Sequence, residues 1–444
     1  MRLLVLDDPD GGSGVDLCIR AQRDGHEAKL AVKPKEKSSL IGKGFVEVIN
    51  DPRPWFRWAN LIVACHNTWH MQALDAHRKE GGKIIAASQE TAQWESNRQI
   101  GQAILRKAGI PTLPSKEFND YDAAIAHVKK TGMRYVSKPT GDGAADADKA
   151  LSYVSSGPVD MIFMLERWKR LNKLKTPFIL QEFMPGVEMG VAGWFGPGGW
   201  NEGWEENFEF KKLMNDDLGP NTGESGSIIR YVRSSKLARK VLIPLTDALE
   251  KAGYVGDLDV NCIIDEKGNP WPLELTVRLG WPAFWIQMAL HQGDVVEWLM
   301  NLASGIDTRS MLLDKVACGV VLAIPDYPYS HYTRREVSGI PIYGLTPALW
   351  KHFHPSQMML GENIPNIIEG KHVKMPMPAT AGDYVAVMTA VSDTVKDSAL
   401  TCYRRLKKLS VPNSVMYRTD VGRRLAKQLP QIQQFGYATD LRYQ

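Results

Sequence analysis

The sequence predicts an α/β chain that passes into α+β and strand-rich structure towards its carboxy terminus, and three stretches carry that expectation. The runs "ANLIVAC" (59–65) and "GKIIAAS" (82–88) are short and apolar throughout, as strands buried on both faces of a parallel sheet are. "DLDVNCIIDEKGNPWPLELTVR" (257–278) reads as a hairpin turning at "DEKGN". Beyond about residue 312 the pattern is again rich in strands.

In the first of these regions, residues 2–6, 28–32, 60–65 and 83–87 read as strands and 14–23 and 70–79 as helices, a small α/β unit over 1–90. A long helix follows at "ESNRQIGQAILRKAG" (95–109), stopped by Gly109 and the proline of "IPT". Then come a helix near 121–131, the strand "RYVSKP" (134–139), a glycine loop "GDG" (141–143), a helix near 157–172, the strand "PFILQEF" (177–183) and a helix over 236–252. These make a central unit over 91–311, with 312–444 as the third. A chain of 444 residues is too long for one core and suits two to four domains.

Composition narrows the class. Hydrophobic residues make up 44% and charged residues 23%, ordinary values for a globular protein, and the longest apolar runs are far shorter than a membrane span. "MRLLVLDDPD" meets acids after four apolar residues, so it reads as a strand and not a signal peptide. Five cysteines stand singly, with no CxxC, which points to reduced thiols in a cytoplasmic setting and against a zinc site. A net charge of +4 neither demands nor excludes an anionic partner.

Several stretches carry candidate chemistry. "DLGPNTGESG" (217–226) packs three glycines, a proline and short polar residues into ten positions, a composition neither helix nor sheet interior favours. Period-2 alternation places Glu274, Thr276 and Arg278 on one strand face. With the turn centred on Glu266–Lys267, Asp259 lies directly opposite Glu274, and two carboxylates side by side call for a cation such as magnesium between them. A solvated face with a salt bridge to Arg278 is the plainer account of the same spacing. "YVSKPTGDG" (135–143) sets Lys138 at a strand end before a glycine loop, which suits phosphate, although no GxxxxGK[ST] motif is present. "FILQEFMPGVEMG" (178–190) ends an apolar strand at Glu182, with Glu188 six residues on, an arrangement suited to an adenine and a ribose.

In chain order these pieces resemble glycinamide ribonucleotide synthetase (phosphoribosylamine–glycine ligase), a family of the ATP-grasp superfamily. "LGPNTGESG" resembles that family's GPNTGGMG loop, with Lys211 upstream; "PLELTVRLGWP" (272–282) resembles E-F-N-x-R-x-G-D-P; "QEFMPGVE" (181–188) is similar to E-E-F-L-x-G-E-E. "GIPT" (109–112), "DYPYSHY" (326–332) and "MYRTDVGRR" (416–424) have counterparts in the same order. The resemblance implies an ATP-grasp fold with a Rossmann-like amino-terminal domain and a strand-rich carboxy-terminal one. It implies an ADP-forming carboxylate–amine ligase that works through an acyl phosphate, with ATP and Mg2+ (or Mn2+) as cofactors. On it, Lys138 contacts phosphate, Gln181, Glu182, Phe183 and Met184 meet the adenine, and Glu188 meets the ribose. Asp259, Glu274 and Thr276 hold metal, while Arg278, Lys211, Asn221 and Thr222 serve the reaction centre. The implied partners are an amino acid, glycine being the family's, and an amine acceptor, in a cytoplasmic monomer or dimer.

The chain also departs from the family. Thr276 stands where a metal-binding asparagine is usual, Trp281 where an acid is, and "AADADK" (144–149) where a second G-K-G is, so that Asp146 and Asp148 face triphosphate with Lys149 alone to offset them. Gln102 takes the place of a helix lysine, with Arg98 one turn away, and Glu224 and Ser225 interrupt the loop. The family holds a sugar phosphate with a G-x-G-G-R-E-H turn; here the turn is "DDPDGGSGVD" (7–16), with Asp7, Asp8 and Asp10 and with glycines 11, 12 and 14 opening the helix. Three readings follow: a ligase with a divergent amine, the housekeeping purine enzyme itself, or a catalytically silent nucleotide-binding protein. The basic stretches 167–175 and 403–408, with Trp168 for stacking, raise a nucleic-acid acceptor, although solvated helix faces account for them more simply.

Overall fold

Five strands near the amino terminus, β1 (Arg2–Asp7), β2 (Glu27–Val32), β3 (Glu47–Ile49), β4 (Leu61–Ala64) and β5 (Ile84–Ile85), form a parallel sheet in the order β3-β2-β1-β4-β5. The helices α1 (Gly14–Arg23) and α2 (Met71–Lys79) connect strands on either side of the β1–β4 pair. This is the expected α/β unit with one addition: β3, whose three residues carry too short a pattern to stand out. The computed structural model describes residues 1–10, 12–35, 38–140, 152–171, 177–201, 203–329, 337–412 and 415–444. Gly11, the "GDG" loop, Asp146, Asp148, Lys149, part of the 167–175 stretch and the end of "DYPYSHY" lie outside them.

The expected long helix over 95–109 is two helices, α3 (Gln89–Ser96) and α4 (Arg98–Lys107). Asn97 parts them: its backbone is extended, and its side chain accepts from the N–H groups of Gln99 and Ile100, capping α4. The segment 236–252 is likewise interrupted, by a 3-10 turn at Ile243–Leu245 that contains Pro244.

Two further sheets enclose the cleft. A four-stranded sheet joins β6 (Ser115–Phe118), β7 (Tyr135–Pro139), β8 (Tyr153–Val154) and β9 (Phe178–Glu182) in the order β6-β9-β7-β8, backed by α5 (Tyr121–Thr131) and α6 (Pro158–Arg170). A nine-stranded sheet holds β10 (Val187–Gly196), β11 (Gly199–Trp200), β12 (Trp204–Glu209), β13 (Gly226–Val232), β14 (Gly256–Ile264), β15 (Pro270–Thr276), β16 (Val316–Ala323), β17 (Phe353–Pro355) and β20 (Tyr384–Ser392). Strands from both sides of residue 312 thus hydrogen-bond in one sheet. The ribbon of β18 (Met358–Ile368) and β19 (Lys371–Thr380) stands apart from it. Trp168, the candidate stacking residue, is 5% exposed and packs against Tyr153 inside the α5–α6 layer, which removes it as a nucleic-acid platform.

The hairpin forms as expected but in a different register. Asp259 faces Thr276, and it is Asn261 that faces Glu274. Asp265 accepts from the N–H groups of Lys267 and Asn269 and so centres the turn later than Glu266–Lys267, and a β-bulge after Asn261 shifts the strands once more. Asp259 and Glu274 are therefore diagonal neighbours on the same face, about 7–8 Å apart in backbone terms.

Candidate functional site

A cleft of about 710 Å³ opens between the four-stranded sheet, the nine-stranded sheet and the first βα turn. Every residue assigned from the sequence to nucleotide or metal lines it, together with Asn221, Thr222, Lys211 and Arg278.

The four-stranded sheet contributes one wall. Lys138 sits near the end of β7 opposite Ile179, and Gln181 is buried between β6 and β7. The N–H of Glu182 donates to Pro114 and that of Phe183 to Arg134, whose guanidinium lies 3.4 Å over the Phe183 ring. Met184 is the first residue past β9 whose N–H is not committed to a neighbouring carbonyl among the described residues.

The floor is charged. Lys211, just past β12, lies 2.8 Å from Glu188, 3.1 Å from Glu209 and 3.3 Å from Glu274. Arg98 at the start of α4 approaches the other oxygen of Glu274 at 3.2 Å. Lys211, then Arg98 and Lys138, hold the Glu274 carboxyl well below the usual carboxylate range against the opposing effect of burial. Burial drops Lys138 to about 7, and Arg98 and Lys211 push the same way. Arg278 is gripped by Glu95, whose carboxylate accepts from the Arg278 Nε at 3.0 Å and from the Val277 N–H at 3.0 Å.

A row of oxygens lies behind this floor, and sequence reasoning missed most of it. Glu205, Asn207 and Glu209 alternate along β12, and Asp257, Asp259 and Asn261 along β14, with Gly190 of β10 between Asn207 and Asn261. A Cβ on Gly190 would lie 2.0 Å from the Asn207 Oδ1, so glycine there is what lets the row close. Asn207 donates to Asp259 at 2.6 Å and Asn261 to Glu209 at 2.7 Å. Burial raises Asp259 and Glu205, and Gln287 donates to both Glu205 and Asp257. The period-2 acids of "WEENFE" (204–209) were the available signal.

The loop over 217–226 is tied down by its own polar residues. The N–H and hydroxyl of Thr222 both donate to the Lys211 carbonyl, at 2.8 and 2.7 Å, and the Asn221 amide donates to the Ser152 carbonyl at 3.2 Å. From the carboxy-terminal side, buried Arg418 binds Asp217 and Asp420, and Arg424 binds Asp217. The "MYRTDVGRR" stretch is thus the buttress of the loop.

At the first βα turn Asp7 turns inward. It is 1% exposed and accepts from the N–H of Gly14 at 2.8 Å and of Asp8 at 3.0 Å. A Cβ on Gly12 would fall 1.5 Å from its Oδ1. The glycines at this helix start make room for the protein's own carboxylate. Asp8 lies 3.9 Å from Lys33, and Asp10 pairs with Lys35.

As to metal, the candidate donors are all hard oxygens: Asp259 and Glu274 carboxylates, the Thr276 hydroxyl, and the buried Asn261 Oδ1, which has no hydrogen-bond partner among the described residues. Among the described residues no three His, Cys, Asp or Glu side chains form a ready cage. Oxygen donors of this kind suit a magnesium-type ion, which takes one or two carboxylates and completes its shell with substrate phosphate and water.

Residues 96–283 match the family model described as phosphoribosylglycinamide synthetase, ATP-grasp (A) domain. Those residues form an ATP-grasp domain like that of phosphoribosylglycinamide synthetase. A phosphoribosylamine–glycine ligase of Ralstonia nicotianae is 25% identical over 362 residues, covering 79% of this chain and 81% of its own. The crystal structure of phosphoribosylamine–glycine ligase from Thermotoga maritima superposes on the ATP-grasp chain with a TM-score of 0.70 at 18% identity, covering 95% of this chain and all of that one. An ADP complex of N5-carboxyaminoimidazole synthetase from Staphylococcus aureus shares the fold at a TM-score of 0.55 and 12% identity, over 91% of this chain and 97% of its own. No helix of the described residues is long and apolar enough to cross a membrane.

Proposed function

We propose that the ATP-grasp chain is an ATP- and magnesium-dependent carboxylate–amine ligase, phosphorylating an amino-acid carboxylate and passing the acyl group to an amine that differs from phosphoribosylamine. The observation that carries this reading is Glu274, held ionised between Lys211 and Arg98 beside Lys138 in one cleft. The buried acids crowded behind it, Glu205, Asp257 and Asp259, are costly to keep together without a cation to serve, which argues against a silent nucleotide binder. The relatives carry the name phosphoribosylamine–glycine ligase, so glycine is the reference donor.

In this reading Gln181 to Met184 present the adenine edge and Glu188 the ribose contact. Lys138 meets the phosphates, and Glu274, Asp259 and Asn261 hold magnesium, with Thr276 beside them. When bound, the ion neutralises phosphate charge and serves as a template. Arg278, aimed by Glu95, offsets the negative charge of the acyl phosphate. Nucleotide analysis after turnover with an amino acid and an amine is expected to show ADP and phosphate; AMP and pyrophosphate as the main products would refute the acyl-phosphate route.

Lys138 gives the reading a pH signature. Its ammonium, faced by Arg98, Lys211, Glu274 and Glu188, titrates near 7 in the free protein. A bound triphosphate favours the charged form, so binding takes up a proton above that pH. ATP affinity is therefore expected to fall as pH rises through and beyond about 7 and to level off below it. Lys138→Ala should weaken ATP binding about tenfold or more and flatten the profile. Fluorescence titration across neutral pH checks both, and an unchanged affinity would remove Lys138 from the phosphate site.

A further inference from the structure

The cations that line the cleft are gathered at one of its ends. Among the described lining residues the cations are Arg98, Lys138, Lys211 and Arg278, all on the nucleotide side or at its border. The far end, against the first βα turn, is lined by Asp10, Asp383 and Glu224 and by the rings of Trp281, Tyr327 and Tyr384.

Three oxygens there lack partners among the described residues. The Asp383 Oδ2 belongs to a residue 2% exposed, the Tyr384 hydroxyl to one 5% exposed, and the third is the Asp10 Oδ1, the oxygen that Lys35 does not hold. Burying such groups unpaired is unfavourable, and native proteins seldom do so without a ligand or water to meet them. The rings stand close by: Tyr327 and Tyr384 meet edge to face at 5.5 Å, and Arg278 already covers one face of Trp281 at 4.5 Å. The first βα turn is braced against this end, since the Gln357 amide donates to the Pro9 carbonyl while its oxygen accepts from the Tyr384 N–H.

We propose that this end of the cleft is the acceptor subsite for a phosphate-free organic ammonium ion, held by the carboxylates of Asp383 and Asp10 and the hydroxyl of Tyr384 against the aromatic wall. A primary ammonium brings three N–H donors, matching three unpartnered acceptors. Aromatic faces add attraction for a cation of the order of a single hydrogen bond. The same groups are wrong for a phosphate, which needs donors and positive charge. Burial, with Asp326 and Asp10 nearby, raises Asp383 to about 7, and a bound cation relieves that crowding. The proposal rests on the ligase reading only in calling the subsite the acceptor's; the binding claim stands by itself.

Isothermal titration of the full chain tests it, with 1,4-diaminobutane and ethanolamine as ammonium probes and ribose 5-phosphate as the anionic alternative. The ammonium probes are expected to bind at least about tenfold more tightly than ribose 5-phosphate, and Asp383→Asn to weaken them about tenfold, one charge-assisted contact. Tyr384→Phe, which removes a hydroxyl without a partner among the described residues, should weaken them while leaving the melting temperature at the wild-type value. Tighter binding of ribose 5-phosphate, or unchanged affinity in a folded Tyr384→Phe or Asp383→Asn protein, overturns the subsite. Ammonium binding that persists while no amine stimulates ADP release would instead sink the ligase reading and leave the subsite standing.

Discussion

Glu274→Ala is expected to lower kcat/KM by about a thousandfold or more while the protein stays folded. Two physical effects separate in this residue. In the free protein its carboxylate only completes a cluster: Lys211 keeps Glu188 at 2.8 Å and Glu209 at 3.1 Å when Glu274 is gone, so no buried cation is stranded. Arg98 loses its contact, but it sits at a helix start with access to water. The main-chain pairing of β15 with β14 does not involve the side chain. In the reacting complex the same carboxylate faces magnesium and phosphate charge, where several kcal/mol depend on it. The melting temperature should shift by a few degrees at most, while ADP release falls to the limit of detection. Glu274→Gln, which keeps the shape, should fare little better than alanine. Near-normal turnover in either folded variant would reduce the acidic floor to a structural salt-bridge cluster.

What was legible in the sequence was local. β1, α1, β7, α5, β9 and the hairpin follow from periodicity and turn chemistry within a dozen residues. The cleft residues were found because an ordered series of motifs carried them, each weak alone. What escaped depends on contacts distant in sequence. Glu95 grips Arg278 from 183 residues away, and Arg418 braces Asp217 from 201 away, which no local pattern records. The pairing of Asp259 with Thr276 turned on the centre of the turn and on one bulge, and strand periodicity is blind to a bulge. Asn97 was read as a helix interior residue although its type is among the best of caps. The acids of β12 belong to a strand that went unrecognised, so their shared face with β14 could not be drawn.

Phosphoribosylamine is expected to be a poor substrate, with kcat/KM below roughly 10⁴ M⁻¹s⁻¹ in the presence of glycine and ATP. In the family this chain resembles, the first βα turn holds the sugar phosphate. A helix start attracts anions through its free N–H groups and its dipole. In this chain one of those N–H groups is already taken: Asp7 accepts the Gly14 N–H from inside the protein, so a phosphate docking at the glycine-opened helix start would meet a buried carboxylate. Asp16, in the first turn of α1, is a second buried carboxylate, held by Arg20 at 2.8 Å and His354 at 2.9 Å and kept ionised below its usual range. The nearby lysines are committed too, Lys33 beside Asp8 and Lys35 to Asp10. A phosphate dianion would therefore meet two buried acids and two neutralised cations. The alternative in which these acids face water fails for Asp7 and Asp8, which are 1% and 9% exposed. Steady-state kinetics with phosphoribosylamine generated in situ provides the check. A catalytic efficiency above that level would show that the phosphate is bound elsewhere, and it would restore the housekeeping purine reaction as this chain's own.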